Sequence, residues 1–215
     1  MSFVIAVDGP AASGKGTVAL GLAREFGLDY LDTGLLYRAV GDHAMRTDPP
    51  FDEKQAVMFA ERGVPMRLDL PQYRTRAAGE AASRVAAFPG VRAGLLNFQR
   101  QFAARPGGAV LDGRDIGTVI APDAPAKLFV TARPEVRAER RFRQLQAQGE
   151  AVTFDDILAD IRLRDARDSG RAAAPLIRAP DAILLDTSDL TIDKAAEEAR
   201  RIVGDAKARW VKAQG

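Results

Sequence analysis

The segment Gly9-Pro10-Ala11-Ala12-Ser13-Gly14-Lys15-Gly16-Thr17 constrains the fold more than any other part of the chain. It follows a short apolar run with β-branched members, FVIAVD at 3–8, which reads as a buried strand. It precedes a helical pattern, VALGLAREFG at 18–27, with Gly27 as its stop. In a strand–loop–helix arrangement the glycines permit a tight backbone, and successive N–H groups surround phosphate oxygens at the positive end of the helix. Lys15 can then reach the β- and γ-phosphates of a nucleoside triphosphate. The strict pattern wants Ser or Thr directly after the lysine; here Gly16 intervenes and the hydroxyl sits on Thr17. A nicotinamide-binding loop fits poorly, because the Gly-x-Gly-x-x-Gly spacing is missing and Lys15 would be unexplained.

The rest of the chain continues the alternation. DYLD at 29–32 reads as a strand and 34–44 as a helix, so the chain opens with a β-loop-α-β unit. Residues 45–80 are punctuated by Pro49, Pro50, Pro65 and Pro71, and read as a peripheral insert with a helix at 53–62 and a short edge strand at 66–70. Residues 80–104 read as helices bent near Pro89-Gly90. Strands follow at 108–115, 126–131 and 182–186, and helices at 134–147, 153–169 and 191–210. Pro134 suits a first helical turn, and Thr153 with Asp156 resembles a capping box. Five strands alternating with helices predict an α/β fold: an open, mainly parallel, doubly wound sheet between helical layers.

At 215 residues the chain reads as one domain, 1–215. Cysteine is absent, which excludes disulfides, thiol chemistry and Cys-ligated zinc. His43 is the only histidine, which removes multi-histidine metal sites and leaves a single candidate base for Ser-His-Asp hydrolysis. There is no run of 18 apolar residues, and MSFVIAVDG reaches Asp8 before a signal-like stretch develops. A cytoplasmic protein without a membrane partner is therefore expected. The net charge of +2 does not suggest coating of a nucleic-acid polymer. RAERRFR at 137–143 is basic but has too few aromatics for a base-stacking platform. Arginine supplies 25 of the 31 basic residues, and its planar fork fits phosphate and carboxylate. His43 and Trp210 read as structural residues, and a monomer is the default oligomeric state.

A phosphate loop specifies ATP or GTP but not what receives the phosphate. Asp32-Thr33-Gly34 follows the second strand, with Tyr37 and Arg38 a turn later; Asp112-Gly113-Arg114-Asp115 closes the third. Strand ends of this kind border the ligand crevice of an open α/β sheet. Arg137, Arg140, Arg141, Arg143, Arg162, Arg164, Arg167 and Arg171 follow, and Arg164, Asp168 and Arg171 share one helical face if the helix persists. An arginine-rich flap of this kind, flexing at Gly149 and Gly170, would exclude water and neutralise moving charge. Hydrolase-switch, sugar-kinase and nucleotide-kinase readings all survive the loop alone, as does a regulatory module that binds nucleotide without transfer.

Longer motifs narrow the choice. IAVDGPAASGKGT at 5–17, LDTGLLYR at 31–38, AASRVAAFPGVR at 81–92, DGRDIGTVIAPDAPAKLFVTA at 112–132, RDARDSGRAAAPL at 164–176 and AILLDTS at 182–188 together make the chain resemble the bacterial cytidylate (CMP/dCMP) kinases. These are nucleoside monophosphate kinases with a P-loop three-layer sandwich. The resemblance implies Mg²⁺-dependent transfer from ATP to CMP or dCMP. It implies that Ser13, Lys15, Arg38, Arg114 and Arg171 hold phosphates, with Lys15, Arg38, Arg114 and Arg171 around the transfer point. Ser83, Arg92 and Asp115 would recognise cytosine, and Asp168, aided by Arg164 and Tyr37, the ribose. Thr33 would serve the acceptor phosphate or base region. Thr17 and Asp112 would serve the metal, directly or through water. Residues 143–171 would form a mobile lid. The insert on the acceptor side is shortened, since residues 60–80 leave little room for the longer antiparallel sheet often found in the family.

Overall fold

Five short runs, four of them rich in aliphatic residues, meet in one parallel sheet. The computed structural model describes residues 2–64, 68 and 70–214. Its strands are β1 (Val4–Asp8), β2 (Asp29–Asp32), β3 (Ala109–Gly113), β4 (Ala126–Thr131) and β5 (Ile183–Asp186), hydrogen-bonded in the order β2-β3-β1-β4-β5. Every pairing is parallel. Burial follows position: β1 and β3 are buried along their whole length, whereas the edge strands β2 and β5 each bury one residue fully. This is the pattern expected when helices cover both faces of a parallel sheet.

The helices are α1 (Lys15–Phe26), α2 (Thr33–Met45), α3 (Glu53–Arg62), α4 (Arg76–Val85), α5 (Pro89–Ala103), α6 (Pro134–Ala147), α7 (Phe154–Gly170) and α8 (Ile192–Gln214). On one face, Leu36, Val40, Val85, Val91 and Leu95 from α2, α4 and α5 pack on Ala6 and Leu111. On the other, Val18, Leu22, Ile202 and Val203 from α1 and α8 pack on Ile5, Val7 and Leu128. Gly41 lets α2 approach α4 closely, because a Cβ there would stand 2.7 Å from the Ala81 carbonyl carbon. Ala138, Leu145, Ile157 and Ile161 form a separate small core between α6 and α7.

The expected elements are found with local differences. α1 begins at Lys15, three residues early, because left-handed Gly14 (φ 88°) turns the loop directly into the helix. Residues 80–104 are two helices with a break at Ala86–Phe88, and Pro89 opens the second. A π-helical turn at Ile116–Ile120, unsignalled by periodicity, joins β3 to β4. Within 45–80 the described residues give α3 and a 3₁₀ turn at Pro71–Arg74. The expected edge strand at 66–70 rests on Met66, Arg67 and Asp69, which lie outside the described residues. Thr153 caps α7 as expected, accepting from the Asp156 N–H at 3.2 Å. His43 lies within α2 and stacks on Phe59 at 4.2 Å, and Trp210 packs against Phe3.

Candidate functional site

β1 is flanked by β3 and β4, so the chain leaves the sheet centre in opposite directions and opens a crevice at the carboxyl ends of β1 and β3. The glycine loop enters this crevice directly from Asp8. Gly9 is required there: its φ is 152°, and a Cβ would lie 2.0 Å from the Val130 carbonyl oxygen of β4. The loop then places Lys15 at the first turn of α1, where backbone N–H groups are unpaired within the helix.

β3 delivers the opposing side chains. Asp112 is buried, and its Oδ2 accepts from the Tyr30 hydroxyl at 2.9 Å. Burial, reinforced by Asp32, pushes the Asp112 carboxyl up despite the nearby Lys15 ammonium. Burial and the Arg114 guanidinium pull Lys15 below the usual lysine range. Arg114 Nε donates to Asp168 Oδ2 at 2.9 Å, which ties the end of β3 to α7. Burial works against the Asp168 carboxylate, but Arg114 and Arg164 outweigh it and hold its pKa low.

Positive charge exceeds what these carboxylates balance. Arg164 is driven down to about 10 by burial and by the like charge of Arg114. Arg171 is lowered by burial and by Arg92, its Nη1 lies 3.8 Å from Asp168 Oδ1, and its Nε donates to the Ala174 carbonyl. Ser13 Oγ, Arg164 Nε and Arg171 Nη2 are out of solvent and have no hydrogen-bond partner among the described residues. Buried donors of this kind are normally paired. The crevice is therefore built for an anion.

A second pocket adjoins this cluster, of about 230 Å³ and lined by Tyr37, Arg92, Leu96, Asp115 and Ala174 among others. Arg92 is paired with Asp115 and lies over the Tyr37 ring, 5.5 Å from its centroid. Burial pushes the Tyr37 hydroxyl up to about 12, so it stays a neutral donor.

The remaining expected site residues divide. Ser83 is buried on α4 and its Oγ accepts from Arg167. Thr33 Oγ1 donates to the Asp112 carbonyl at 2.7 Å, so its proton is already engaged. Arg38 borders the crevice, where Asp32 and Arg114 act on its charge, but its Nη1 donates to the Tyr73 and Thr75 carbonyls. Thr17 is exposed, and Gly16 faces the Asp112 carboxylate, with a Cβ there 3.1 Å from Asp112 Oδ2.

The model of the family described as cytidylate kinase matches residues 5–204. The chain belongs to the cytidylate kinase family. It is 61% identical to a cytidylate kinase from Caulobacter sp. (strain K31), covering all of both chains. It is 64% identical to one from Caulobacter vibrioides (strain NA1000 / CB15N), over 97% of this chain and 99% of that one. A crystal structure of an uncharacterized protein from Eubacterium ventriosum shares the fold, with a TM-score of 0.54 at 18% identity, over 95% of this chain and 99% of that one.

Several supports in this cytidylate-kinase fold had no sequence signal of their own. Asp8 accepts from the Ile116 and Gly117 N–H groups at 2.8 and 2.7 Å, anchoring the π turn beside the site. Arg137, buried on α6, donates to Asp165 of α7 and to the Ala11 carbonyl of the glycine loop. Arg140 donates to the Thr187 hydroxyl and carbonyl, and Thr187 Oγ1 donates to the Ser13 carbonyl. The only sequence hint was that Arg137 and Arg140 fall in the arginine-rich stretch.

Proposed function

We propose that this protein transfers the γ-phosphoryl group of ATP to the phosphate of CMP or dCMP, giving ADP and CDP or dCDP. The observation that carries the reading is the set of unpartnered buried donors on Ser13, Arg164 and Arg171 around Lys15 and Arg114. A site for ATP alone needs one anion subsite; this crevice continues into a second pocket with directional polar groups.

Family membership supports the residue roles. Gly9–Thr17 holds the triphosphate, and Lys15, Arg38, Arg114 and Arg171, with Ser13, hold both phosphate groups at the transfer point. Tyr37, Arg164 and Asp168 contact the ribose, and Thr33 borders the acceptor. Ser83 and Arg92 donate to the ring nitrogen and carbonyl of cytosine, and Asp115 accepts from its amine. Uracil carries a carbonyl in place of that amine, so Asp115 would be left facing an acceptor.

The nucleophile is an oxygen of the acceptor phosphate, whose second pKa of about 6 leaves it ionised near neutral pH. No side-chain base is needed, in keeping with a lone histidine stacked far along α2. The arginines and Lys15 screen the repulsion between two polyanions and align donor and acceptor for direct in-line attack. The family works with magnesium-bound ATP. Asp112 suits that ion: it is a buried carboxylate with a raised pKa, close to Asp32 and oriented by Tyr30. Among the described residues no cluster of three acidic or histidine side chains forms a cage, so triphosphate oxygens and water would complete the coordination. When bound, the ion would neutralise charge on the triphosphate.

The α6–α7 pair, with its own small core, supports residues 143–171 as a lid that closes over a single 1–215 domain, opposite the shortened insert at 45–80. ATP and CMP or dCMP are the partners on this reading, and the protein is a cytoplasmic monomer without nucleic-acid or membrane partners. Among the described residues no helix is long and apolar enough to cross a membrane. The test is ADP release measured by a coupled assay across CMP, dCMP, UMP, AMP, GMP and shikimate. Activity confined to CMP and dCMP is expected; equal turnover of UMP and CMP would overturn the base assignment.

A further inference from the structure

α7 ends at Gly170, and the chain turns sharply before it reaches Leu176. Leu176 is buried, and its N–H donates to the Asp168 carbonyl at 2.8 Å, which closes the turn onto the end of α7. Within the turn Arg171 Nε donates to the Ala174 carbonyl at 2.9 Å. Ala174 has a left-handed backbone, with φ 49°. That conformation is costly for any residue that carries a Cβ. Pro175 adds to the cost, because a proline pushes the residue before it toward extended backbone. Ala174 is therefore held against two local preferences, and it keeps its conformation because Leu176 and Arg171 over-determine the turn.

The conformation aims a carbonyl. The Arg171 guanidinium is planar and rigid, so holding Nε sets the direction of both terminal nitrogens. Nη1 then stands 3.8 Å from Asp168 Oδ1, too far for a hydrogen bond. Nη2 is buried and has no hydrogen-bond partner among the described residues. An extended backbone at Ala174 would swing the carbonyl off Nε and let the guanidinium close on Asp168, the nearest carboxylate. The charge would then be spent on a protein partner. Ala173 and Ala174 also line the pocket that holds Arg92 and Asp115, so one turn supplies both a wall of that pocket and the prop for Arg171.

We propose that Ala174 is a positioning residue whose left-handed backbone holds Arg171 away from Asp168 and keeps its free Nη2 for phosphate. The inference rests on the reading of Arg171 as a phosphate-holding group at the transfer point.

The experiment compares Ala174→Val, Ala174→Asn and Ala174→Gly in the full chain, each with and without Arg171→Met. ADP release with CMP is followed, with kcat and KM resolved separately. Valine and asparagine both add bulk to the pocket wall, but asparagine tolerates a left-handed backbone and a β-branched residue does not. Any of the three can move the KM for CMP, because the wall itself changes; the test is in kcat. Ala174→Val is expected to show a kcat about tenfold below that of Ala174→Asn, the scale of a residue forced into a sparsely populated backbone region. Ala174→Gly should rank with Ala174→Asn. In the Arg171→Met background the three should have the same kcat. If Arg171→Met alone leaves kcat intact, Arg171 does not act at the transfer point, and that reading falls together with the inference. If Arg171→Met lowers kcat while Ala174→Val and Ala174→Asn are equal, only the inference falls, because bulk and not backbone handedness then governs. A deficit of Ala174→Val that persists in the Arg171→Met background also overturns it, since Ala174 would then act independently of Arg171. Should Ala174→Val fail to fold, Ala174→Thr, β-branched and of the same shape, takes its place under the same expectations.

Discussion

Arg114 stands where two demands meet. It neutralises Asp168 and also contributes positive charge beside Lys15. Arg114→Ala removes the second function at the transfer point and leaves Asp168 dependent on Arg164 and Arg171. A fall in kcat/KM for CMP of about 10²–10³ is expected, the size of losing one preorganised charge-stabilising donor. ATP-analogue binding at the loop, followed by fluorescence, should persist. Normal turnover would refute the transfer geometry. Asp8 gives a second prediction at this scale. Its carboxyl is buried and its pKa is raised to about 6, chiefly by desolvation, which outweighs the two N–H donors. The folded state therefore binds a proton that the unfolded chain has released between pH 4 and 6. The stability contributed by protonated Asp8 is present below about pH 4 and is lost as pH rises toward 6, by up to about 3 kcal/mol. Asp8→Asn should flatten that part of the profile in urea titrations across pH 4–7; an unchanged difference between the two proteins would contradict it. Asp8 looked like an ordinary strand residue in the sequence because its partners lie more than a hundred positions away. Lys15 and Arg114 were legible because strand ends mark the crevice without knowledge of any contact.

Elements carried a stronger sequence signal than the ties between them. Strand 126–131 and helix 134–147 are found at the expected bounds, since a short apolar run ending in Val130 and Thr131 is followed by Pro134, which punctuates both cleanly. The start of α1 and the π turn carry no periodicity signal, because one is set by the left-handed backbone of Gly14 and the other by the distant Asp8 carboxylate. The same reasoning explains why the attachment of the α6–α7 pair was invisible. Arg137 ties α6 to α7 through Asp165 and holds the pair to the core through the Ala132 and Ala11 carbonyls. Arg137→Met should keep the pair's own apolar core while releasing its grip on the glycine loop. The KM for ATP should rise about tenfold, more than that for CMP. Removing a buried cation from its half-buried carboxylate should also cost about 2–3 kcal/mol, below the full cost of breaking a deeply buried pair. Steady-state kinetics and thermal melts separate these effects. Equal rises in both KM values would mean that the hairpin docks without help from the loop.

At the scale of the whole molecule, the net charge of +2 hides a strong internal asymmetry: the surface is mixed, whereas the crevice gathers Lys15, Arg38, Arg114, Arg164 and Arg171 around few carboxylates. A cationic group withdrawn from water without a full partner destabilises the protein that carries it. Part of the free energy of folding is therefore offset until an anionic ligand arrives, and ligand binding should raise the apparent stability by mass action. Arg164 is the clearest case, since its Nε is unpaired out of solvent and its like-charged neighbours Arg114 and Arg38 push its pKa further down after burial. Arg164→Met keeps most of the aliphatic stem and removes the charge. The ligand-free protein should then gain about 1 kcal/mol, or about 2–4 °C in Tm for a chain of this length. The same variant should show a smaller Tm increase with CMP and a large loss in kcat/KM. Scanning calorimetry with and without CMP tests both signs together. A variant that melts lower when free and keeps its full response to CMP would show that Arg164 is a structural cation paired by Asp168, and that the crevice carries no surplus charge to be neutralised by substrate.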